Sequence, residues 1–361
     1  MPKLLIQLVT WNGKKYIPYL FDSLRKQMFT DFHLYIFDNG STDGTQDAIE
    51  KELHTFSHPH TFVKNTENIG FAGGHNWIYK KTRNKEQGTS ECRYILLLNQ
   101  DMYLTPECIQ KMVTFLDTNQ HAAAVAPRLM HWNFGSIELG LEKSFTHEID
   151  SLGLKVFRNR RVVEKYGGKL WEDKKSRLEL SFRTQGDAME VFGISGALPM
   201  FRVAALEVVA FEDGSFFDSS YSSYKEDVDL AYRLRIAGFT SYVLLGSVAY
   251  HDRSAAGLER VGDLVAAQNK KIQSAWVKQH SYKNHLMTLY KNEYGQNFIL
   301  DFLFILWYEL KKFVYFLLFD RSVLKGIVEL YRMRKELVHK RKNVIQMRKI
   351  SYHTIREWWL S

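Results

Sequence analysis

Residues 94–101 read YILLLNQD. Five apolar residues in a row, without polar alternation, describe a strand covered on both faces, as in a parallel sheet. The run stops on two amides and a carboxylate, so Asn99, Gln100 and Asp101 fall at its carboxyl end. In open α/β sheets that is the end where ligands bind. A carboxylate there is well placed to hold a divalent cation against a diphosphate, because hard oxygen ligands suit Mg2+ or Mn2+. A cap or turn carboxylate is the plainer reading, but Thr105, followed by Pro106, is itself placed to cap the next helix.

The same pattern repeats on either side. LLIQLV (4–9) is a strand closed by Trp11-Asn12-Gly13, and Ile17, Leu20, Phe21, Leu24 and Met28 follow at helical spacing. HLYIF (33–37) is a strand closed by Asp38-Asn39-Gly40. Thr42 or Asp43 can cap the next helix, with Thr45, Ile49 and Leu53 on one face. Phe62-Val63 is a brief strand, and residues 68–76 form a glycine-rich turn leading into a helix. Beyond Asp101, Ile109, Met112, Val113 and Leu116 mark a buried helix face, and AAAVA (122–126) is another strand. This β-α-β-α rhythm predicts an open, mostly parallel sheet with helices on both faces. Residues 131–190 read as an insertion of small strands and loops. Helices are expected over 202–210 and 226–237, the second ended by Gly238. Strands over 239–245 and 248–250 then lead to His251, and after about residue 260 the pattern is nearly all helical.

The 361 residues accommodate one large α/β domain and a smaller appendage. A composition of 45% hydrophobic and 25% charged residues excludes large-scale disorder. The two cysteines, Cys92 and Cys108, lie in no metal-ligand pattern and fit a reducing compartment. The opening MPKLLIQLVTWNG reads as a strand and a polar loop, not a secretory signal. No stretch reaches the roughly 20 apolar residues that span a bilayer.

The net charge of +9 is concentrated: residues 321–349 hold ten Lys/Arg against two Asp/Glu. A basic segment on a near-neutral body predicts a local anionic partner and argues against nucleic-acid binding by the whole protein. Just before it, residues 298–319 read FILDFLFILWYELKKFVYFLLF, with Asp301, Glu309, Lys311 and Lys312 interrupting the apolar runs 302–308 and 313–319. Such aromatic-rich helices suit the plane of a membrane interface, where each cation near anionic headgroups is worth about 1 kcal/mol. The alternative is a helical pair packed on the rest of the chain or on a second copy, a homo-oligomer.

Four polar clusters, at 10–13, 38–42, 68–76 and 99–101, fall on strand ends, which points to one shared site. Asp38 could accept a hydrogen bond from a base or ribose, or close an Asx-turn on its own backbone. The three glycines of NIGFAGGHN (68–76) could bring backbone N–H groups to an anion, or simply form a strand-to-helix turn. Their spacing is neither the dinucleotide fingerprint nor a P-loop. Glu226 and Asp227 open a helix, where the dipole favours acids in any case; the functional reading is a general base for an acceptor hydroxyl. His251 ends a strand and is either a further metal ligand or structural.

Together these segments resemble family 2 glycosyltransferases over roughly residues 4–260, in particular the bacterial rhamnosyltransferase-like branch. VTWNG (9–13) resembles the family's first-strand motif and FDNGSTDGT (37–45) its nucleotide-binding motif. NIGFAGGHN resembles its Asn-x-Gly-Phe-x-Gly-Gly-x-Asn segment, and LLLNQD (96–101) the DxD-equivalent, usually Asn-Pro-Asp. SGALPMFRVAALE (195–207) is similar to the acceptor-side Gly-Ala segment, YKEDVDLAYRLRIAGF (224–239) to the Glu-Asp motif, and HDRSAAG (251–257) to the His segment. Asp150-Ser-Leu-Gly followed by VFRNRR (156–161) resembles the rhamnosyltransferase branch and gives residues 131–190 a role near the acceptor.

The resemblance implies a GT-A-type α/β catalytic domain over 1–260, with the donor site in 1–130 and the acceptor side in 131–260. A basic helical region, 261–361, would follow. It implies an inverting enzyme that moves a sugar, rhamnose from dTDP-rhamnose, onto a glycan or polyprenyl-linked acceptor for cell-surface polysaccharide. The place would be the cytoplasm, at the inner face of the membrane. Asp38 would contact the base, with Thr10 and Asn12 nearby. Asn68, Gly70, Gly73, Asn76 and Asn99 would also serve the donor. Asp101 would ligate a divalent metal on the diphosphate, and His251 would complete that site. Asp227 would be the catalytic base, with Glu226 its rival, and Gly196 and Ala197 would line the acceptor pocket. Asn99 and Gln100 depart from the family pattern and leave weak metal dependence open. A UDP-hexose donor and a non-catalytic sugar-nucleotide-binding protein are the alternatives; a Rossmann oxidoreductase lacks its fingerprint.

Overall fold

The computed structural model describes residues 2–83, 92–253 and 274–360. Strands β1 (Leu4–Thr10), β2 (Phe32–Asn39), β3 (His60–Asn65) and β4 (Tyr94–Asn99) lie parallel in the order β3-β2-β1-β4. Side chains alternate across a strand, and both sets are apolar here. Leu4, Ile6 and Leu8 pack with α1 (Ile17–Arg25), α2 (Thr45–Leu53) and, from β4, Leu96 and Leu98. Leu5, Ile95 and Leu97 face the opposite layer, where α3 (Gly70–Arg83) supplies Ile78 and Tyr79. Fully burying one such side chain contributes about 1.5–3 kcal/mol.

The sheet continues through β5 (Met102–Leu104), α4 (Cys108–Thr118) and β6 (Ala122–Trp132). The insertion follows: α5 (Leu141–Ser144), β7 (Phe145–Ser151), the hairpin β8 (Leu154–Val156) and β9 (Val162–Glu164), α6 (Glu172–Glu179), β10 (Thr184–Gln185) and β11 (Ala188–Val191). Then come β12 (Met200–Arg202), α7 (Val203–Val209), α8 (Glu226–Ile236) and β13 (Thr240–His251). Among the described residues the large sheet has eleven strands, ordered β10-β11-β13-β6-β12-β4-β1-β2-β3, with β5 on β13 and β7 on β6. β12 runs antiparallel between β4 and β6, while β6 and β13 are parallel. The crevice between β1 and β4, where the chain direction across the sheet reverses, is a topological switch point.

Several expectations are corrected. Met28 lies beyond α1 and is exposed. Thr105 caps nothing: its hydroxyl donates to the Val248 carbonyl, and α4 begins at Cys108. Thr42 has no capping role at α2, where Asp43 accepts from the Thr45 backbone N–H at 3.0 Å. The two strands expected over 239–245 and 248–250 are one strand, Thr240–His251, with an irregular register between Leu244 and Val248. The glycine segment is already helical from Gly70.

The C-terminal helices are α9 (Ala275–Asn292), α10 (Gly295–Leu300), α11 (Phe302–Phe319), α12 (Lys325–Arg332), α13 (Arg334–Gln346) and α14 (Tyr352–Leu360). Buried charges tie them down. Lys291 of α9 is wholly buried and pairs with Asp218 and Asp229, and Lys340 of α13 reaches the same Asp218 at 2.6 Å. Arg160 of the insertion is held by Glu293 and Asp301 and lies over the Trp359 ring. Removing one partner from such a set leaves an uncompensated buried charge, which is strongly destabilising. Among the described residues, no helix is long and apolar enough to cross a membrane.

Candidate active site

At the carboxyl ends of β4 and β13 opens a cavity of about 370 Å3. Seven of the expected residues line it: Asn99, Asp101, Gly196, Ala197, Glu226, Asp227 and His251. The antiparallel entry into β12 brings the acceptor-side segment to the tip of β4, where the Asn99 N–H donates to the Ala197 carbonyl at 3.1 Å.

Asp227 stands in the first turn of α8. Its carboxylate accepts from the Gly196 N–H at 3.1 Å and from the Val228 N–H at 2.7 Å, which fixes its orientation on the cavity wall. Glu226, beside it, is buried, and its Oε2 has no hydrogen-bond partner. Burial and the adjacent Asp227 charge push the Glu226 carboxyl up to about 8. At neutral pH it therefore keeps its proton, and Asp227 is the better placed acceptor. The loop leading into α8 is strained: Ser222, Tyr224 and Lys225 all have positive φ without being glycine.

In the same cavity, His251 Nε2 lies 3.4 Å from Asp101 Oδ1, and Nδ1 lies 2.9 Å from Asp150 Oδ2. Burial disfavours the charged ring, but Asp101 and Asp150 outweigh it and raise His251 to about 10. Asp150 is held at about 2: burial opposes ionisation, and Arg253 and His251 overcome it. Arg253 bridges Asp150 at 2.9 Å and Glu164 at 3.1 Å. Burial raises Glu164, whose Oε1 also accepts from the Ser195 hydroxyl at 3.1 Å.

The Asp101–His251 pair would fit a divalent cation once the imidazolium gives up its Nε2 proton, since metal binding displaces ligand protons. Two ligands at about 2.1 Å in neighbouring octahedral positions stand about 3 Å apart, close to the observed separation. The contact between Nδ1 and Asp150 is the outer-shell arrangement that orients a ligating imidazole. Among the described residues no group of three or more His, Cys, Asp or Glu could hold a metal. The rest of the shell would be phosphate and water, as Mg2+ commonly takes it.

The other expected donor residues do not line this cavity. Asp38 is fully buried, and its carboxylate accepts from Thr10 Oγ1, the Ser41 N–H and hydroxyl, and Gln46 Nε2. A carboxylate has about four lone-pair sites, so its own loop fills them all. Asn12 holds the same loop from the other side, accepting from the Thr42 N–H at 2.9 Å. Gln100 clamps the backbone N–H and carbonyl of Trp11 at 2.9 Å each across the switch point, and a Cβ on Gly13 would meet that side chain.

The glycine segment is not an open anion cradle. The N–H groups of Gly70, Phe71 and Ala72 donate to Asn68 Oδ1, Ser223 Oγ and the Ser222 carbonyl. A side chain on Gly70 would collide with Ser222, and one on Gly74 with Val9 of β1; close packing accounts for both. Gly73 sits within α3, where an added Cβ would press on Ile69. Asn76 is buried and pairs with the backbone of Phe217 in both directions.

Sequence reasoning missed Glu164, Ser195 and Arg253, and missed Val277 and Ser281 of α9, which also line the cavity. Arg253 lies two residues past His251 on the same strand exit, a spacing that puts both on one face. Nothing in the polar stretch around Glu164 marks it. Residues 254–257 of the His segment lie outside the described residues.

Residues 6–209 match the sequence profile described as Glycosyl transferase family 2. The chain belongs to that family. This glycosyltransferase is 23% identical over 230 residues to the poly(ribitol-phosphate) beta-N-acetylglucosaminyltransferase TarS of Staphylococcus aureus (strain Mu50 / ATCC 700699), covering 62% of this chain and 38% of TarS. An uncharacterized glycosyltransferase of Haemophilus influenzae is 24% identical over 128 residues, 36% of this chain and 37% of that protein. The chain thus spans well under half the length of these curated relatives. Among solved structures, GalNAc-T7 with UDP, GalNAc and Mn2+ aligns with a TM-score of 0.56 at 11% identity, over 81% of this chain and 49% of that one. The mannosyltransferase PcManGT from Pyrobaculum calidifontis, with GDP-Man and Mn2+, aligns at 0.50 and 14% identity, over 99% and 83%. At these identities the likeness shows the GT-A fold.

Proposed function

We propose that this glycosyltransferase takes its sugar from a nucleoside diphosphate and transfers it, with inversion, to a hydroxyl of a cell-surface glycan. The observation that carries the reading is the shared cavity: Asp227 and the Asp101–His251 pair both line it. The acceptor oxygen attacks the anomeric carbon while Asp227 takes its proton. The bond from that carbon to the diphosphate breaks, and its electron pair leaves with the nucleoside diphosphate. Asp101 and His251 would hold a divalent cation, Mg2+ or Mn2+, whose charge offsets the charge growing on the leaving group. Asp38, Thr10, Asn12 and Gln100 act by fixing the loops at the ends of β1 and β2 that meet the nucleotide.

The donor is dTDP-rhamnose in this reading, following the sequence resemblance at residues 150–161. The similarity to TarS favours a second reading, transfer of N-acetylglucosamine to a poly(ribitol-phosphate) acceptor; a UDP-linked donor is the alternative that the sequence leaves open. A screen of dTDP-, UDP- and GDP-sugars for nucleotide release, with and without Mn2+, separates them. Turnover with dTDP-rhamnose supports the first reading and preference for UDP-GlcNAc the second. Absence of turnover and of calorimetric binding for every nucleotide sugar would overturn the function altogether.

A further inference from the structure

Helix α11 has its polarity turned inside out. In a helix packed on a soluble core, apolar residues face inward and charged residues face water. Here Leu303 is 75% exposed, Trp307 63% and Phe319 73%. Phe302, Phe304, Leu306, Leu310, Phe313, Val314, Leu317 and Leu318 are exposed as well, while only Ile305 and Phe316 of the helix are buried. Three of the four charges that interrupt the apolar runs point the other way, and only Lys311 among them is exposed. Asp301 is buried among Arg158, Arg160 and Arg356. Glu309 bonds His285 of α9 at 2.7 Å, and Lys312 lies over the rings of Tyr282 and Tyr308. The preceding Phe298, Ile299 and Leu300 extend the exposed apolar surface.

We propose that α10 and α11 form a docking surface that lies in the interface of an anionic bilayer. The charge pattern chooses this occupant over a second copy of the chain. Between residues 298 and 328 every exposed charged residue is a cation: Lys311, Arg321 and Lys325. A two-fold contact sets a patch against itself, so a second copy would bring the same cations and no acidic counterpart. Anionic headgroups supply the missing charge, and acyl chains accept the Leu, Phe and Trp side chains. At 18 residues, the helix covers about 27 Å of surface at 1.5 Å per residue. The docking surface stands independently of the transfer reaction, and its test uses no nucleotide sugar.

The test is flotation of the full chain with vesicles of mixed phosphatidylglycerol and phosphatidylcholine, against phosphatidylcholine alone, at low salt. The wild type is expected to float with the anionic vesicles. Because burying one large apolar side chain is worth about tenfold or more in partition, Leu303→Glu with Trp307→Glu should lower vesicle binding by at least that factor. The double variant should keep its melting temperature, since both side chains are exposed. Lys311→Glu with Arg321→Glu should remove at least about thirtyfold of the preference for anionic vesicles. Failure of the wild type to float, or flotation of the Leu303/Trp307 variant like the wild type, would overturn the proposal. So would a wild-type dimer in sedimentation velocity that this variant dissociates while neither protein binds vesicles.

Discussion

The loops at the ends of β1 and β2 and the cavity rim built by α8, β9 and β13 are made in opposite ways. In the loops every polar side chain named above has a partner: Asp38 fills four acceptor positions, and Gln100 and Asn12 staple neighbouring backbone. On the rim, Glu226 has an orphaned buried oxygen, Glu164 is raised by burial, and three residues ahead of α8 hold left-handed backbone. Satisfied groups give a rigid mould. Perturbed, incompletely satisfied carboxyls give chemistry, because their protonation answers to what enters the cavity.

Asp227→Asn probes the rim most severely. It keeps the shape and the Gly196 contact region but removes the proposed proton acceptor. Turnover should fall by about 10²–10⁴ while calorimetric affinity for the nucleotide sugar stays near wild type. Near-normal turnover would erase the distinction between the two regions.

Asp38→Asn probes the mould. The amide places an NH2 among donors that now lack an acceptor, so the cost should appear in folding, at about 2–3 kcal/mol for hydrogen bonds to a charged group. A lowered urea midpoint, with a raised donor KM, is the expected outcome. An unchanged midpoint with only donor affinity lost would make Asp38 a direct ligand instead.

Glu226→Gln has the mildest effect and separates the two acids. The variant mimics the protonated carboxyl, so transfer at neutral pH should be close to wild type. The native carboxyl titrates at about 8 against an ordinary 4.5. Its stabilising contribution is thus complete below about 4.5 and is lost as pH rises through about 8. Thermal melts should show wild-type stability declining over that window relative to the variant. Parallel curves would mean that Glu226 is already ionised at neutral pH.

Much of this arrangement is legible in the sequence, because a parallel strand must be apolar on both faces and must end in polar residues. YILLL and LLIQLV announce themselves, and seven of the residues expected at the site do line one cavity. What stays hidden depends on contacts distant in sequence. Asn76 reads as a ligand-binding amide but pairs with the backbone of Phe217. Gly70 reads as anion-binding but is small because Ser222 lies against it. Glu164 sits in a short hairpin without periodicity and becomes part of the site only through Arg253 and Ser195. Glu309 and Lys312 break an apolar run on paper but leave only Lys311 to interrupt the outer surface, since helical rotation turns them toward α9.

The wall that α9 contributes has a consequence for how the protein comes into being. A ribosome delivers the residues from Asp38 to His251 before Val277 and Ser281, so until α9 docks the carboxyl-lined trough lacks the wall those two residues supply. The trough closes only when Lys291 finds Asp218 and Asp229 across a long stretch of polypeptide, a search that loop-closure entropy makes slow. Biogenesis thereby delays the trough's closure until the helices that carry α11 have also been made.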